Sequence, residues 1–227
     1  VAIQMDPIHT INIDADSTFA LALEAQARGH AMFHYLPTAL TLRGGRLYAK
    51  GRRLEVFRRY GDHHKFGDEA ELDLEGVDVI LMRQDPPFDM AYITATHLLE
   101  LLPPEGPLVV NDPAAVRNAP EKLFVLRFPE LMPPTLLSLD RDEIKAFWDE
   151  HQEIVLKPLF GNGGAGIVHL RPGDDNLSSL LEMYAQMYRE PVMVQRYIPA
   201  VRQGDKRIVL IDGEAAGGVL RVPAAGE

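Results

Sequence analysis

Leu156-Lys157-Pro158-Leu159-Phe160-Gly161-Asn162-Gly163-Gly164-Ala165-Gly166-Ile167-Val168-His169-Leu170-Arg171-Pro172-Gly173 is the stretch on which the fold turns. Gly161 to Gly166 fits G-x-G-x-x-G to the letter. A dinucleotide-binding loop of that spacing opens a helix, whose N-terminus holds the pyrophosphate. Here the run that follows, Ile167-Val168-His169-Leu170, is β-rich and is closed by Pro172-Gly173. The context is strand, loop, strand, and the dinucleotide reading is set aside. A glycine-rich hairpin can instead fold over ATP phosphates and present backbone N–H groups to them. Lys157, at the end of the leading strand, then places an ammonium beside the loop. The alternative is a mobile surface hairpin. A protein kinase also uses such a hairpin, but neither H-R-D-x-x-x-x-N nor D-F-G follows.

On the C-terminal side, Met193-Val194-Gln195-Arg196-Tyr197-Ile198-Pro199 reads as a strand whose free end can meet an adenine edge through backbone groups. In Gly204-Asp205-Lys206-Arg207 a carboxylate is placed to hold ribose hydroxyls and cations to face phosphates. On the N-terminal side the pattern changes to alternating strand and helix. Strands are predicted at Val1 to Met5, Met32 to Leu36, Val77 to Met82 and Pro107 to Val110. Helices are predicted from the Asp16-Ser17-Thr18 cap to Ala27, with Phe19, Leu23 and Ala27 on the buried face, and from Asp89 to Leu102. Thr41 to Tyr48 is a hairpin around Gly44-Gly45. This βαβ rhythm predicts a mostly parallel, Rossmann-like sheet, with ligands in the crevice beyond the carboxyl ends of its strands. Asp112-Pro113 and Ala119-Pro120 mark a boundary, after which hairpin-like pairs predict an α+β domain. The expected helix from Glu121 runs to Phe128. The segments expected are 1–118, 119–190 with the glycine loop, and 191–227.

Composition bounds the function. Lys and Arg number 23 against 33 Asp and Glu, a formal charge of −10, which argues against non-specific nucleic-acid or anionic-membrane binding. There is no cysteine, so thiol catalysis, disulfides, Cys-ligated zinc and iron–sulfur clusters are excluded. No apolar run reaches the roughly 18 residues of a membrane span, and Val1 to Met5 lacks the basic flank of a signal peptide. The cytoplasm is the expected location, and a few residues are expected to precede Val1.

The order Lys122, Leu156-Lys157-Pro158 with its glycine loop, Gln195-Arg196-Tyr197-Ile198, Gly204-Asp205-Lys206-Arg207 resembles the ATP-grasp ligases. Within that superfamily the chain is similar to the prokaryotic glutathione synthetases. Met5-Asp6-Pro7, Ile11-Asn12-Ile13 and Asp16-Ser17 carry this resemblance, with Leu81-Met82-Arg83-Gln84-Asp85-Pro86-Pro87-Phe88-Asp89, Asn111, Glu121-Lys122-Leu123-Phe124 and Leu220-Arg221-Val222-Pro223. The N-terminal stretches are more specific than the glycine loop.

The resemblance implies an enzyme that joins glycine to γ-glutamylcysteine with ATP, through an acyl phosphate, giving glutathione, ADP and phosphate. It implies ATP-phosphate contacts for Lys122 and Lys157, and closure over the phosphates for Gly161, Gly163 and Gly164. Gln195, Arg196, Tyr197 and Ile198 are implied around the adenine, and Asp205 at the ribose. Arg207 and Arg221 are the implied catalytic cations, neutralising the transferring phosphoryl group or a substrate carboxylate. Arg83 and Asp85, with Asp6, Asn12 and Ser17, are implied at the γ-glutamyl end, although Arg-x-Asp-Pro-Pro also makes a rigid, internally bonded turn. Magnesium ligands are implied beyond residue 227, past a mobile loop starting at 224, so the sequence as given is expected to lack ligase competence. A homotetramer is implied as well. Other readings are another ATP-grasp carboxylate–amine ligase, of D-alanine–D-alanine or glutamate-adding type, and an ATP-binding module without catalysis. His63-His64 is expected on the surface rather than at a metal, Phe147-Trp148 in a core, and Asp68 to Glu75 in a solvated loop.

Overall fold

In the computed structural model, strand β1 (Ala2–Gln4) is buried at all three residues, as befits a strand covered on both faces. Helix α1 (Ser17–Ala27) follows a loop. The Asp16 carboxylate caps it, accepting from the Phe19 N–H at 2.7 Å, and Gly29 ends it at φ +79°. Thr18, Phe19 and Ala22 form its buried face with Leu23 beside them, while Ala27 is exposed, so the inward stripe lies one position off the expected one. Strands β2 (Met32–Arg43) and β3 (Arg46–Val56) make one long hairpin. Gly44 and Gly45, both at positive φ, supply its two-residue turn. The separate strand and hairpin expected from sequence are thus one ribbon, whose register shifts between Tyr35 and Leu40, around Pro37.

Strand β4 (His64–Asp73) corrects the expected loop over Asp68 to Glu75. It is an edge strand, and a register shift opposite Arg52 and Leu54 interrupts the alternation by which a strand is recognised. Its acids pair across the ribbon, Glu71 with Arg43 at 2.6 Å and Asp73 with Arg46 at 2.7 Å. Next come β5 (Val79–Met82), α2 (Met90–Leu99) capped by Asp89, and β6 (Leu108–Val110). The sheet runs β4-β3-β2-β1-β5-β6, parallel among β2, β1, β5 and β6. Helix α3 (Pro113–Asn118) occupies the expected boundary: Asp112 caps it and Pro113 stands in its first turn, where no N–H is needed. Helix α4 (Glu121–Phe124) is shorter than expected and gives way to a 3-10 turn at Val125–Arg127.

The chain forms two compact units, one from Val1–Phe124 with the short stretch beginning at Phe160, the other from Val125–Leu159 and from Gly163 onward. The structure describes residues 1–161 and 163–223; Asn162 of the glycine run and residues 224–227, where a mobile loop is expected, lie outside the described residues. The second unit contains β7 (Thr135–Ser138), α5 (Arg141–His151), β8 (Ile154–Pro158), β9 (Val168–Leu170), α6 (Leu177–Met187) and β10 (Val192–Arg196). Its sheet, β7-β10-β8-β9, is antiparallel throughout. Ile144, Ile154, Leu156, Leu181, Tyr184 and Val194 fill its core, with Phe147 and Trp148 packed against them as expected. The Trp148 indole N–H donates to the Gln152 carbonyl at 2.8 Å and closes the end of α5. Strands β11 (Asp205–Ile211) and β12 (Glu214–Arg221) form a separate two-stranded ribbon. Among the described residues no helix is long and apolar enough to cross a membrane.

Candidate functional site

In the second unit, antiparallel pairing sets Lys157 on β8 diagonally from Gln195 on β10, and Gln195 directly opposite Thr135 on β7. The Lys157 ammonium donates to the Gln195 side-chain oxygen at 2.7 Å, and the Gln195 amide donates to the Thr135 hydroxyl at 3.0 Å. This relay crosses three strands, and Gln195 is buried within it. Above it opens a cavity of about 540 Å³ lined by Lys157, Gln195, Arg196, Tyr197, Ile198 and Asp205 among others. Its volume lies within the range of small-molecule sites, roughly 300–1,000 Å³. The sequence nominated all six of those residues.

His169 on β9 also lines the cavity, and sequence reasoning missed it. Its ring stacks on Tyr197 with centroids 3.9 Å apart and planes 20° apart. Burial, then the nearby Arg171 guanidinium, hold the His169 imidazole below its ordinary value, against the opposing pull of Glu153. The signal available was alternation: Ile167, just before β9, and His169 within it are two residues apart, and both line the cavity.

The glycine run does form a strand–loop–strand connection, since β8 and β9 pair antiparallel on either side of it. Gly163 and Gly164 adopt positive φ with open space where a Cβ would stand. Gly166 is fixed instead: a Cβ there would meet Pro158 at 2.8 Å, and its carbonyl accepts from the Tyr184 hydroxyl. In the first unit, the Lys122 ammonium donates to the Gly161 carbonyl at 2.7 Å and pairs with Glu121.

Asp205 and Arg221 face one another across β11 and β12 and form an ion pair, with Nε to Oδ2 at 3.0 Å. Arg207, two residues along, shares that face by register, opposite Val219. Gly204 makes the approach possible at φ +106°, because a Cβ there would stand 2.7 Å from the Arg221 carbonyl.

The other nominated residues gather in the first unit, beyond the carboxyl ends of β1 and β5. The Arg83 guanidinium donates to the Ser17 hydroxyl at 2.7 Å and to the Thr18 hydroxyl at 3.0 Å. The Asp85 N–H donates to the Asp6 carboxylate at 2.6 Å. Burial, then the neighbouring carboxylates of Asp6 and Asp16, push the Asp85 carboxyl above its ordinary value, while Arg83 opposes them. Asn12 turns the loop, its side-chain oxygen accepting from the Asp14 N–H at 3.1 Å. A cavity of about 610 Å³ opens here, with Asp6, Gln84, Asp85 and Asp89 at its polar edge and Leu40 and Tyr92 in its wall. Gln84 and Gln4 beneath it are buried and joined by a hydrogen bond, a pair that sequence reasoning did not single out.

His63 departs from expectation: it is buried, and its Nε2 donates to the Ile8 carbonyl at 2.7 Å. Among the described residues no group of three or more His, Asp or Glu is placed to hold a metal ion.

Two family models match the chain. The N-terminal domain of prokaryotic glutathione synthetase matches residues 1–117, and the ATP-grasp domain of the same family matches residues 121–227. A glutathione synthetase of Rhodopseudomonas palustris is 58% identical over 99% of this chain and 71% of its own length. One from Salmonella typhimurium is 43% identical over 100% of this chain and 72% of its own. Among solved structures, a RimK-domain ATP-grasp protein of Sphaerobacter thermophilus superposes with a TM-score of 0.63 at 22% identity, covering 97% of this chain and 72% of that one. D-alanyl-alanine synthetase A of Vibrio cholerae gives 0.59 at 14%, covering 99% and 69%. These last two likenesses establish the ATP-grasp fold. With both domain models matched in order along one chain, the chain belongs to the prokaryotic glutathione synthetase family of ATP-dependent ligases.

Proposed function

We propose that the two sites divide the work of joining glycine to γ-glutamylcysteine at the expense of ATP. The observation that carries the reading is the family's N-terminal match over residues 1–117, since an ATP-grasp domain by itself serves many carboxylate–amine ligases. In the proposed route the γ-phosphoryl group of ATP passes to the cysteinyl carboxylate. The glycine amine then attacks that carbonyl carbon, and phosphate leaves. Such chemistry asks the protein for positioning and charge neutralisation rather than for a nucleophile, which agrees with a chain that has no cysteine.

The cavity of the second unit fits the nucleotide in chemistry as in volume. Tyr197, His169 and Ile198 offer ring faces and apolar wall to an adenine, with the backbone beyond Gln195 meeting its edge. Lys157 is held toward the phosphates by its bond to Gln195, and Asp205 toward the ribose. Lys122, Gly161, Gly163 and Gly164 take the phosphate roles that the resemblance gives them. Arg207 and Arg221, on the ribbon face shared with Asp205, supply positive charge to the transferring group. In the first unit Arg83, held by Ser17 and Thr18, faces the γ-glutamyl carboxylate, and Asp6 and Asp85 its ammonium, with Asn12 nearby. ATP-grasp chemistry uses Mg²⁺ to offset phosphate charge. The described residues hold no cluster of three or more His, Asp or Glu placed for it.

The reading assigns residues 1–118 to substrate binding, 119–190 to the lid with the glycine loop, and 191–227 to the start of the last subdomain. A cytoplasmic location and a homotetramer belong to the same proposal. The test is ADP release by the intact enzyme in magnesium buffer, with γ-glutamylcysteine and glycine each added or omitted. Release that requires both amino substrates is expected. Lys157→Met is expected to raise the KM for ATP by about 10- to 100-fold, the worth of a charge-assisted hydrogen bond. ADP release that ignores γ-glutamylcysteine overturns the reading.

A further inference from the structure

The loop between β1 and α1 carries Asp6 and Asn12 and leads into Ser17 at the start of α1. It is gripped by side chains of the antiparallel ribbon. His34 on β2 donates from Nε2 to the Asp6 carbonyl at 3.3 Å. His63, in the turn between β3 and β4, donates from Nε2 to the Ile8 carbonyl at 2.7 Å. The Tyr60 hydroxyl, in the same turn, donates to the Asp14 carboxylate. The three contacts meet the loop at three separate points and come from residues 28, 55 and 46 positions away in sequence.

The gripping turn is itself braced. The Phe57 N–H donates to the His63 carbonyl at 2.8 Å, and Arg59 pairs with Asp62 at 2.8 Å. The His63 ring meets Phe19 of α1 edge-on at 5.8 Å. Gln26, also on α1, both donates to and accepts from the backbone of Val56 at 2.8 Å, fixing the ribbon's end to the helix. The loop has apolar anchors of its own in buried Ile8 and Ile13, which set its depth in the core. The polar contacts act along its length, where a loop held only by two apolar side chains is free to shear. A buried carbonyl left without a donor costs more than an ordinary hydrogen bond returns, so the Ile8 carbonyl defines one loop position sharply.

We propose that Tyr60 and His63 are positioning residues: they form a clamp, outside the residues that line the crevice cavity, that sets where Asp6 and Asn12 stand for the γ-glutamyl end of the substrate. This rests on the reading that those two residues meet substrate. The contacts of Tyr60 and His63 fall on the loop and on Phe19 of α1, so the clamp acts through those two elements.

The test uses Tyr60→Phe, His63→Ala and His63→Gln in the intact enzyme, with Arg83→Ala as the reference for substrate contact. Two quantities are read: amide hydrogen exchange over residues 6–16, and the separate KM and kcat values for γ-glutamylcysteine and ATP. Tyr60→Phe and His63→Ala are expected to speed exchange in the loop. They are expected to raise the KM for γ-glutamylcysteine roughly five-fold, the scale of one net hydrogen bond, with the KM for ATP unchanged. His63→Gln keeps a donor near the Nε2 position and is expected to restore both. Unchanged exchange in Tyr60→Phe and His63→Ala overturns the clamp. A raised KM in Arg83→Ala without one in the two clamp variants overturns the positioning role while the substrate site stands. An unaltered KM in Arg83→Ala overturns the substrate site itself, and the positioning role with it.

Discussion

His34 shows how far one side chain's surroundings set its chemistry. It lies buried in β2 beside Phe66, its ring centroid 5.2 Å from that ring, and donates to the Asp6 carbonyl. Burial is the main cause that holds its imidazole below the ordinary 6.5, helped by the nearby positive charge that His64 and His9 acquire on protonation; the bond to Asp6 opposes them. The unfolded chain therefore takes up a proton near pH 6.5 that the folded chain refuses. The stability linked to His34 is present above that pH and is lost as pH falls through the lowered folded value. Denaturant midpoints measured from pH 7.5 to 5.5, a range of about two units around the reference value, are expected to fall with acid, and to fall less steeply in His34→Gln. Nothing in the sequence announces this burial, because His34 occupies an alternating position of a strand that reads equally well as facing solvent. Lys157 and Gln195 were legible for the opposite reason: each sits at a strand end beside punctuation that only a loop requires.

Strands and helices were read well where local chemistry repeats and poorly where tertiary pairing decides. The Asp16 and Asp89 caps each start a helix at the expected place, since an aspartate carboxylate satisfies end N–H groups whatever lies elsewhere. Asp112-Pro113 obeys the same rule, but its helix has only six residues and reads as a linker. Strand β4 depends on β3 for its existence, and its apolar content is too thin to signal it. Its Asp68 and Glu69 are exposed on the outermost strand of the sheet, where charge discourages pairing with another chain. The double variant Asp68→Val, Glu69→Val is expected to self-associate through that edge, with a larger species in size-exclusion chromatography than the parent at equal concentration. An unchanged elution volume counts against the protective role.

At the scale of the molecule the sequence announced two halves by rhythm, βαβ before about residue 118 and hairpins after it, because parallel and antiparallel sheets need different connection lengths. The structure has two compact units, each with its own apolar core. Two separately packed units also mean that one global unfolding free energy does not describe the chain. Trp148, whose indole closes α5, is the single tryptophan of the sequence and belongs to the second unit. Its emission therefore responds to one unit, whereas circular dichroism sums over both. Unfolding curves recorded by the two methods are expected not to superimpose. The same indole stands in the unit that holds the proposed nucleotide cavity, and neither glycine nor γ-glutamylcysteine contains an indole. Fluorescence excited at the red edge of protein absorption is thus a built-in optical channel for the nucleotide-binding half of the enzyme, readable without attaching a dye.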